Sequence, residues 1–376
     1  MTGLRTFASG LYSVLLLFCV ADNVRAETVP DLYVAEVPVA GQDEDSRRQA
    51  IHKAFADVLV KVSGDRQLSL RGGAKNLLRS ANRYVQEYGY RLLESTGDKM
   101  VGQSGESSEP DRLLRVRFDE QAVNRQLREH GIPVWGKTRP SILLWLGIEE
   151  RGHRSLYQTE QDPGLRTVVE RTATERGLPV LFPLMDLEDG IKLQTSDLWG
   201  GFEERIRRAS DRYLPDVILV GRLRSRGSSD WIGDWSLYQP GEVSNWQSRA
   251  STKSGLAVDG LQEASDRLAA LFAPRYVDQG ITNLRIRVSG LDNLGDYILV
   301  QEYLESLDMI AQLNLLSAHP ESVSFIAQVQ GGRDALEKGI MLGGVLEPVV
   351  ATDEVVSADA TSPEALDAES LDFRLR

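Results

Sequence analysis

The chain has 376 residues, a net charge of −12 and one cysteine, Cys19. A surface this acidic repels nucleic-acid phosphates and anionic lipid headgroups. A lone cysteine excludes an intramolecular disulfide framework, and its position inside an apolar leader leaves no thiol nucleophile or thiolate metal site for the rest of the chain.

The leader is the first predicted element. MTGLRTFASG carries Arg5 and no acid, LYSVLLLFCVA is apolar, and DNVRA ends on small Ala26. This charged, apolar, small-residue order predicts a secretory signal peptide, cleaved between Ala26 and Glu27. An apolar run of about eleven residues is too short to span a bilayer core, which needs about 20. Phe18, just before Cys19, stands where a lipidation signal wants a small residue. Losing Arg5, Asp22 and Arg25 takes the charge from −12 to −13. No later segment is long and apolar enough for a transmembrane helix. The expectation is a soluble periplasmic protein, large enough to form two or three modules on its own core.

Residues 27–135 read as an N-terminal α+β module. DLYVAEVPV alternates as a strand. In SRRQAIHKAFADVLVKVSGD the apolar Ile51, Phe55, Val58 and Val62 recur at helical spacing, with Ser63-Gly64 as the stop. A helix over 73–84, a strand in YVQEYGYRLLE and a polar loop at 96–110 follow, then the strand LLRVRF and the helix DEQAVNRQLREHG. IPVWGKTRP reads as a linker.

Residues 136–280 read as a central mixed α/β module. SILLWLGIE is a near-continuous apolar run, as expected for a strand covered on both faces. A helix at 163–176, a short strand LPVLFPLM, a helix at 197–212, the strand DVILVGRLRS, a tryptophan hairpin and a helix at 257–273 complete it. Residues 281–347 read as a C-terminal β-α-β-β-α module whose order echoes the N-terminal one, as in an architectural repeat. The acidic segment 348–376, poor in large apolar residues, is expected to be a disordered tail. Within it Leu371, Phe373 and Leu375 alternate in SLDFRLR, a pattern that could add one strand to a partner's sheet edge. The fold class is α/β or α+β, multi-module, with mixed sheets flanked by helices.

No catalytic constellation emerges. His52, His130, His153 and His319 form no i, i+4 pair and neighbour no second ligand, so neither a metal nor a cofactor is expected. There is no GxSxG elbow and no SxxK. The pairs Gly72-Gly73, Gly200-Gly201, Gly331-Gly332 and Gly343-Gly344 lie outside any phosphate-loop pattern, and several fall at helix ends. The basic clusters Arg47-Arg48 and Arg205 to Arg208 lie on helices with acids nearby, as solvated faces do.

WIGDWSLYQPGEVSNW, residues 231–246, carries three of the six tryptophans. A turn centred on Pro240-Gly241 places Trp235 opposite Trp246, Trp231 opposite Ala250 and Tyr238 opposite Val243. Trp231, Gly233, Trp235, Leu237, Trp246 and Ala250 then share one face, while Ile232, Asp234, Ser236, Tyr238, Val243, Asn245, Gln247 and Arg249 share the other. A sugar platform needs polar groups beside its rings, and here they lie on the opposite face. The arrangement therefore predicts core packing. A longer loop would slip the register by one and turn Trp246 away.

The run VAEVPVAGQDEDSRRQAIHKAFADVLVKVSGD and the later LLRVRFDEQAVNRQLREHGIPVWGKTRPSILLWL resemble the domain-of-unknown-function 2066 family of exported proteobacterial proteins, over residues 30–280. The order of the central elements is similar to that of mixed α/β domains in periplasmic proteins assisting outer-membrane assembly. The resemblance implies export and brings no catalytic or binding residues. The functional expectation is a non-catalytic interaction or assembly-accessory protein of the cell envelope, with an envelope protein as partner. The alternative is a periplasmic small-molecule or glycan-binding protein. A hydrolase with a dispersed site is the third reading.

Overall fold

The computed structural model describes residues 27–68, 72–92, 112–239, 241–273, 281–307, 309–342, 344–349 and 369–376. The expected signal peptide, Ala26 of its cleavage site, the polar loop at 96–110 and residues 350–368 of the expected tail lie outside the described residues. The fold is mixed α/β, with helices flanking mixed sheets.

The N-terminal part runs β1 (Glu27–Thr28), β2 (Val34–Val39), α1 (Glu44–Ser63), α2 (Gly72–Arg79), β3 (Val85–Leu92), β4 (Arg112–Phe118), α3 (Glu120–Glu129) and β5 (Thr138–Arg139). Helix α1 begins where the Asp43 carboxylate accepts the Ser46 N–H at 2.9 Å, satisfying one orphan donor of the first turn. Ile51, Phe55, Val58 and Val62 are all buried against an antiparallel sheet of order β2-β4-β3. The segment expected as a linker is partly strand, because β5 pairs with β1 and sets Glu27 opposite Arg139.

The central part runs β6 (Ile142–Glu150), β7 (His153–Leu156), α4 (Pro163–Arg176), β8 (Val180–Leu181), α5 (Leu187–Lys192), α6 (Thr195–Gly200), α7 (Glu203–Ser210), β9 (Val217–Ser225), β10 (Trp231–Gln239), β11 (Glu242–Ala250) and α8 (Lys253–Phe272). Its sheet has the order β11-β10-β9-β6-β7, with β8 and β9 both parallel to β6. Alternate β6 side chains go to opposite faces. Ile142, Leu144 and Leu146 pack under α4 and α8, while Leu143 and Trp145 pack under the helices α5 to α7. That double cover is why the strand reads as an unbroken apolar run.

Two expectations change here. The helix expected over 197–212 is broken into α6 and α7 at Gly201, whose φ of 66° is a left-handed value that glycine adopts without a Cβ penalty. LPVLFPLM yields only the two residues of β8, since two prolines interrupt its ladder.

The C-terminal part runs β12 (Thr282–Ser289), α9 (Leu294–Glu305), β13 (Ile310–His319), β14 (Ser322–Val329), α10 (Gly332–Leu342), β15 (Leu346–Pro348) and β16 (Glu369–Leu375). Its sheet order is β13-β14-β12-β16-β15. The first, third and second strands of the unit neighbour one another antiparallel, as they do in the N-terminal sheet. The echo of order is thus also an echo of strand topology.

The expected disordered tail is corrected at its far end, and a short strand closes the module just before it. Leu346–Pro348 is a strand, and residues 369–375 lie between β12 and β15, parallel to β12, with Ile286 opposite Leu371 and Val288 opposite Phe373. Leu371 and Phe373 are buried in the C-terminal core. The alternation in SLDFRLR does form a strand, on the chain's own sheet.

The N-terminal and central parts are joined by buried arginines. Arg139, fully buried, donates to the Lys61 carbonyl at 2.8 Å on the N-terminal side and to the Arg176 carbonyl of α4 at 3.3 Å on the central side, with its guanidinium 3.9 Å over the Trp135 ring. Arg176 reaches across from α4 to the Gly64 carbonyl at 2.7 Å.

Candidate functional site

The hairpin has the register its turn dictates. Trp235 pairs with Trp246, Trp231 with Ala250 and Tyr238 with Val243. Gly241, with φ of 77°, closes the turn. Trp231 and Trp235 are buried in the core under α8, and half-buried Trp246 stacks on Trp235 at 6.3 Å with planes 14° apart. The three tryptophans face core. The question of a binding surface therefore passes to the other face of the same strands.

That face holds an open groove of about 550 Å³. Arg222 and Arg224 point into it from β9, Asp234 from β10, and Asn245 and Gln247 from β11. Its far wall is Arg154 of β7 and Trp199 of α6. The elements explain the opening. Toward the N-terminal ends of β6 and β9 this face is covered, Leu198 and Ile206 packing on Leu143, Trp145 and Val220. Beyond Trp199 no helix covers this face: Arg222, Arg224 and Asp234 are half-buried, and Asn245 and Gln247 are exposed.

The location follows from topology. The chain leaves the β6–β7 hairpin for α4 on one face of the sheet and reaches β9 through α5 to α7 on the other. The groove lies on the second of these faces, over the carboxyl-terminal half of β9 and the antiparallel strands β10 and β11, past the end of that helical cover.

Hydrogen bonds fix the lining. Arg224 is paired with Asp234, whose other oxygen accepts from Gln247 at 2.5 Å. Arg222 donates to Ser236 at 3.1 Å, and Ser236 donates to Asn245 at 2.7 Å. Arg154 bonds Glu149 at 2.7 Å and lies 4.6 Å over the Trp199 ring. The Trp199 indole sits tight on the sheet at Gly147, where an added Cβ would come within 3.0 Å of its nitrogen. Two of the three arginines thus have a carboxylate, and Arg222 has none within ion-pair distance among the described residues. The Nε of Arg222 and that of Arg224 are buried without a hydrogen-bond partner among the described residues.

Other titratable groups are structural. Asp216 accepts from the backbone N–H and hydroxyl of Ser141, both at 2.7 Å, tying the starts of β6 and β9 together, and burial holds its carboxyl above the usual range. Burial lowers Lys61, which donates to the Val34 carbonyl at 2.7 Å. Tyr213 is pushed up to about 12 by burial and its bond to Asp189. The four histidines are exposed and stand on separate elements. Among the described residues no group of three His, Cys, Asp or Glu side chains could hold a metal ion, and no helix is long and apolar enough to cross a membrane. A second groove, between the start of α1 and β3, balances Glu44 and Glu87 against Arg47 and Arg48.

A different surface stands beside this region. Leu184, Leu187 and Ile191 are 67, 81 and 69 % exposed, the last two one turn apart on α5. Leu214 is also exposed, one residue after Tyr213, whose hydroxyl accepts the Leu184 N–H at 2.8 Å.

No residue of the groove stands out as a site in the sequence. The signal was the alternation Arg222-x-Arg224 facing Asp234-x-Ser236. Trp199 and Arg154 come from elements with no local tie to it.

Residues 26–136 match a family described as Domain of unknown function (DUF8605). That segment is less than a third of the chain. A domain of unknown function is what the N-terminal segments resemble, but the family is number 8605, not 2066. No curated protein matches the chain.

Proposed function

We propose that the chain is an exported, non-catalytic interaction protein of the cell envelope, soluble in the periplasm after cleavage between Ala26 and Glu27. Export rests on the charged, apolar and small-residue order of residues 1–26.

The observation that carries the interaction reading is the patch of Leu184, Leu187 and Ile191. Single exposed apolar side chains are ordinary, whereas neighbouring ones left bare together mark protein contacts. Bare leucine at 81 % exposure contributes nothing to the core, so its burial is left for a partner. The partner is an envelope protein, met through an apolar centre with Arg212, Lys192 and Glu188 at its rim, as in non-obligate interfaces.

Affinity capture from envelope extracts tests this with two versions of the chain. The natural chain should retain one specific envelope protein, and the Leu187→Asp/Ile191→Asp chain should lose it while melting at the same temperature. Equal retention by both chains would refute the patch as the contact.

A further inference from the structure

We infer that the groove of Arg154, Arg222, Arg224, Asn245 and Gln247 binds the oxyanion of a small, hydroxyl-rich ligand, a phosphorylated or carboxylated sugar. This site is separate from the apolar patch and stands or falls independently of the interaction reading.

Charge points to an anion. In a chain of net charge −12 a cation in a concave polar site would ordinarily be neutralised by a neighbouring acid. Glu149 does this for Arg154 and Asp234 does it for Arg224. Arg222 is held by Ser236, a neutral acceptor, so its charge is free for an incoming anion. A guanidinium offers a forked set of donors that fits carboxylate and phosphate alike.

Shape and polarity decide the rest of the ligand. About 550 Å³ is within the range of small-molecule sites. The lining is polar, so an apolar ligand would strand amide and guanidinium groups without partners. Asn245 and Gln247 stand side by side on exposed β11, two residues apart on one face, with amide groups suited to ring hydroxyls. Asp234 is occupied by Arg224 and Gln247, which aligns the amide and keeps the carboxylate from repelling an anion. Arg154, stacked on Trp199, closes the far wall.

Isothermal titration of the full chain with three probes tests the assignment: inorganic phosphate, glucose 6-phosphate and glucuronate. At least one sugar probe should bind at millimolar concentration or below, more tightly than phosphate alone. Preference for glucose 6-phosphate would name a phosphoryl group, and preference for glucuronate a carboxylate. Arg222→Gln should weaken binding about tenfold, the scale of one lost charge-assisted hydrogen bond. Asn245→Asp keeps the shape and the Ser236 contact on an exposed strand while adding a negative charge, and should weaken it as much. Arg171→Gln, on α4 across the sheet, should bind as the natural chain does. Failure of all three probes, or equal binding by the natural and Asn245→Asp chains, would overturn the proposal. Phosphate binding as tightly as both sugars would overturn the sugar part.

Discussion

Arg176 on α4 donates to Asp266 on α8 at 2.6 Å, and the same guanidinium nitrogen reaches the Gly64 carbonyl at the end of α1. Arg176 is 1 % exposed and Asp266 28 %. One side chain thus binds two helices of the central part to the last turn of an N-terminal helix. Removing the acid leaves a buried guanidinium with a weaker set of partners. Asp266→Ala should cost about 3 kcal/mol, the low end for a broken buried pair, because Asp266 keeps some solvent. Arg176→Met combined with Asp266→Ala should cost less than the two single losses added. Urea unfolding of the four chains measures this, and strict additivity would show that the pair is not coupled.

Trp235 is the keystone of the hairpin face. It is 1 % exposed, and its ring lies so close to α8 that a Cβ on Gly260 would stand 2.1 Å from it. Trp235→Ala should destabilise by about 3–5 kcal/mol. Gly260→Ala should cost about 1–3 kcal/mol by overpacking. Trp246→Ala, at the half-buried end of the stack, should cost less than Trp235→Ala, and chemical denaturation of the three variants orders them.

The final strand is part of the fold. Removing 369–376 uncovers the backbone of β12 along its whole parallel ladder and takes Leu371 and Phe373 from the core. The shortened chain should melt several degrees lower, or fail to fold. Phe373→Ala alone should cost about 3–5 kcal/mol. An unchanged melting temperature on removing 369–376 would show that β16 is not needed.

Asp162 gives a pH dependence. It caps α4 through the Leu165 N–H at 3.1 Å and pairs with Lys253 at 2.7 Å. Burial pushes its carboxyl up, but the bonds from Lys253 and the Leu165 N–H outweigh it, and the net pKa is below the ordinary 3.8. A carboxyl lowered in the folded state stabilises fully above its unfolded pKa and loses that stabilisation as pH falls through the folded value. Asp162→Asn should therefore be less stable than the natural chain at neutral pH, with the gap closing below 3.8. Melting curves across that range check it, and a gap that widens toward acid would contradict it.

Local signals carried most of the fold into the sequence. Asp162-Pro163 at one end and Gly177 at the other bound α4 where the pattern placed it. In the hairpin a two-residue turn determines every pair, so the face of each tryptophan followed from counting. What was hidden is non-local. Leu371, Phe373 and Leu375 announced a strand, but nothing nearby said that it joins β12, 84 residues away between Phe373 and Ser289. The groove was hidden for the same reason. Arg222 and Arg224 face it by alternation, yet their charge means something only once α6 brings Trp199 and β7 brings Arg154 beside them.

We propose that the bare apolar surface of α5 meets an envelope protein. The most direct test is a photo-crosslinking amino acid placed at position 187 of the chain in intact cells, with the same group at position 171 on α4 as reference. Position 187 should yield one discrete crosslinked envelope protein, in the periplasmic fraction, from a chain that begins at Glu27. Position 171 should yield none. No product at 187, or the same products at both positions, would contradict the account.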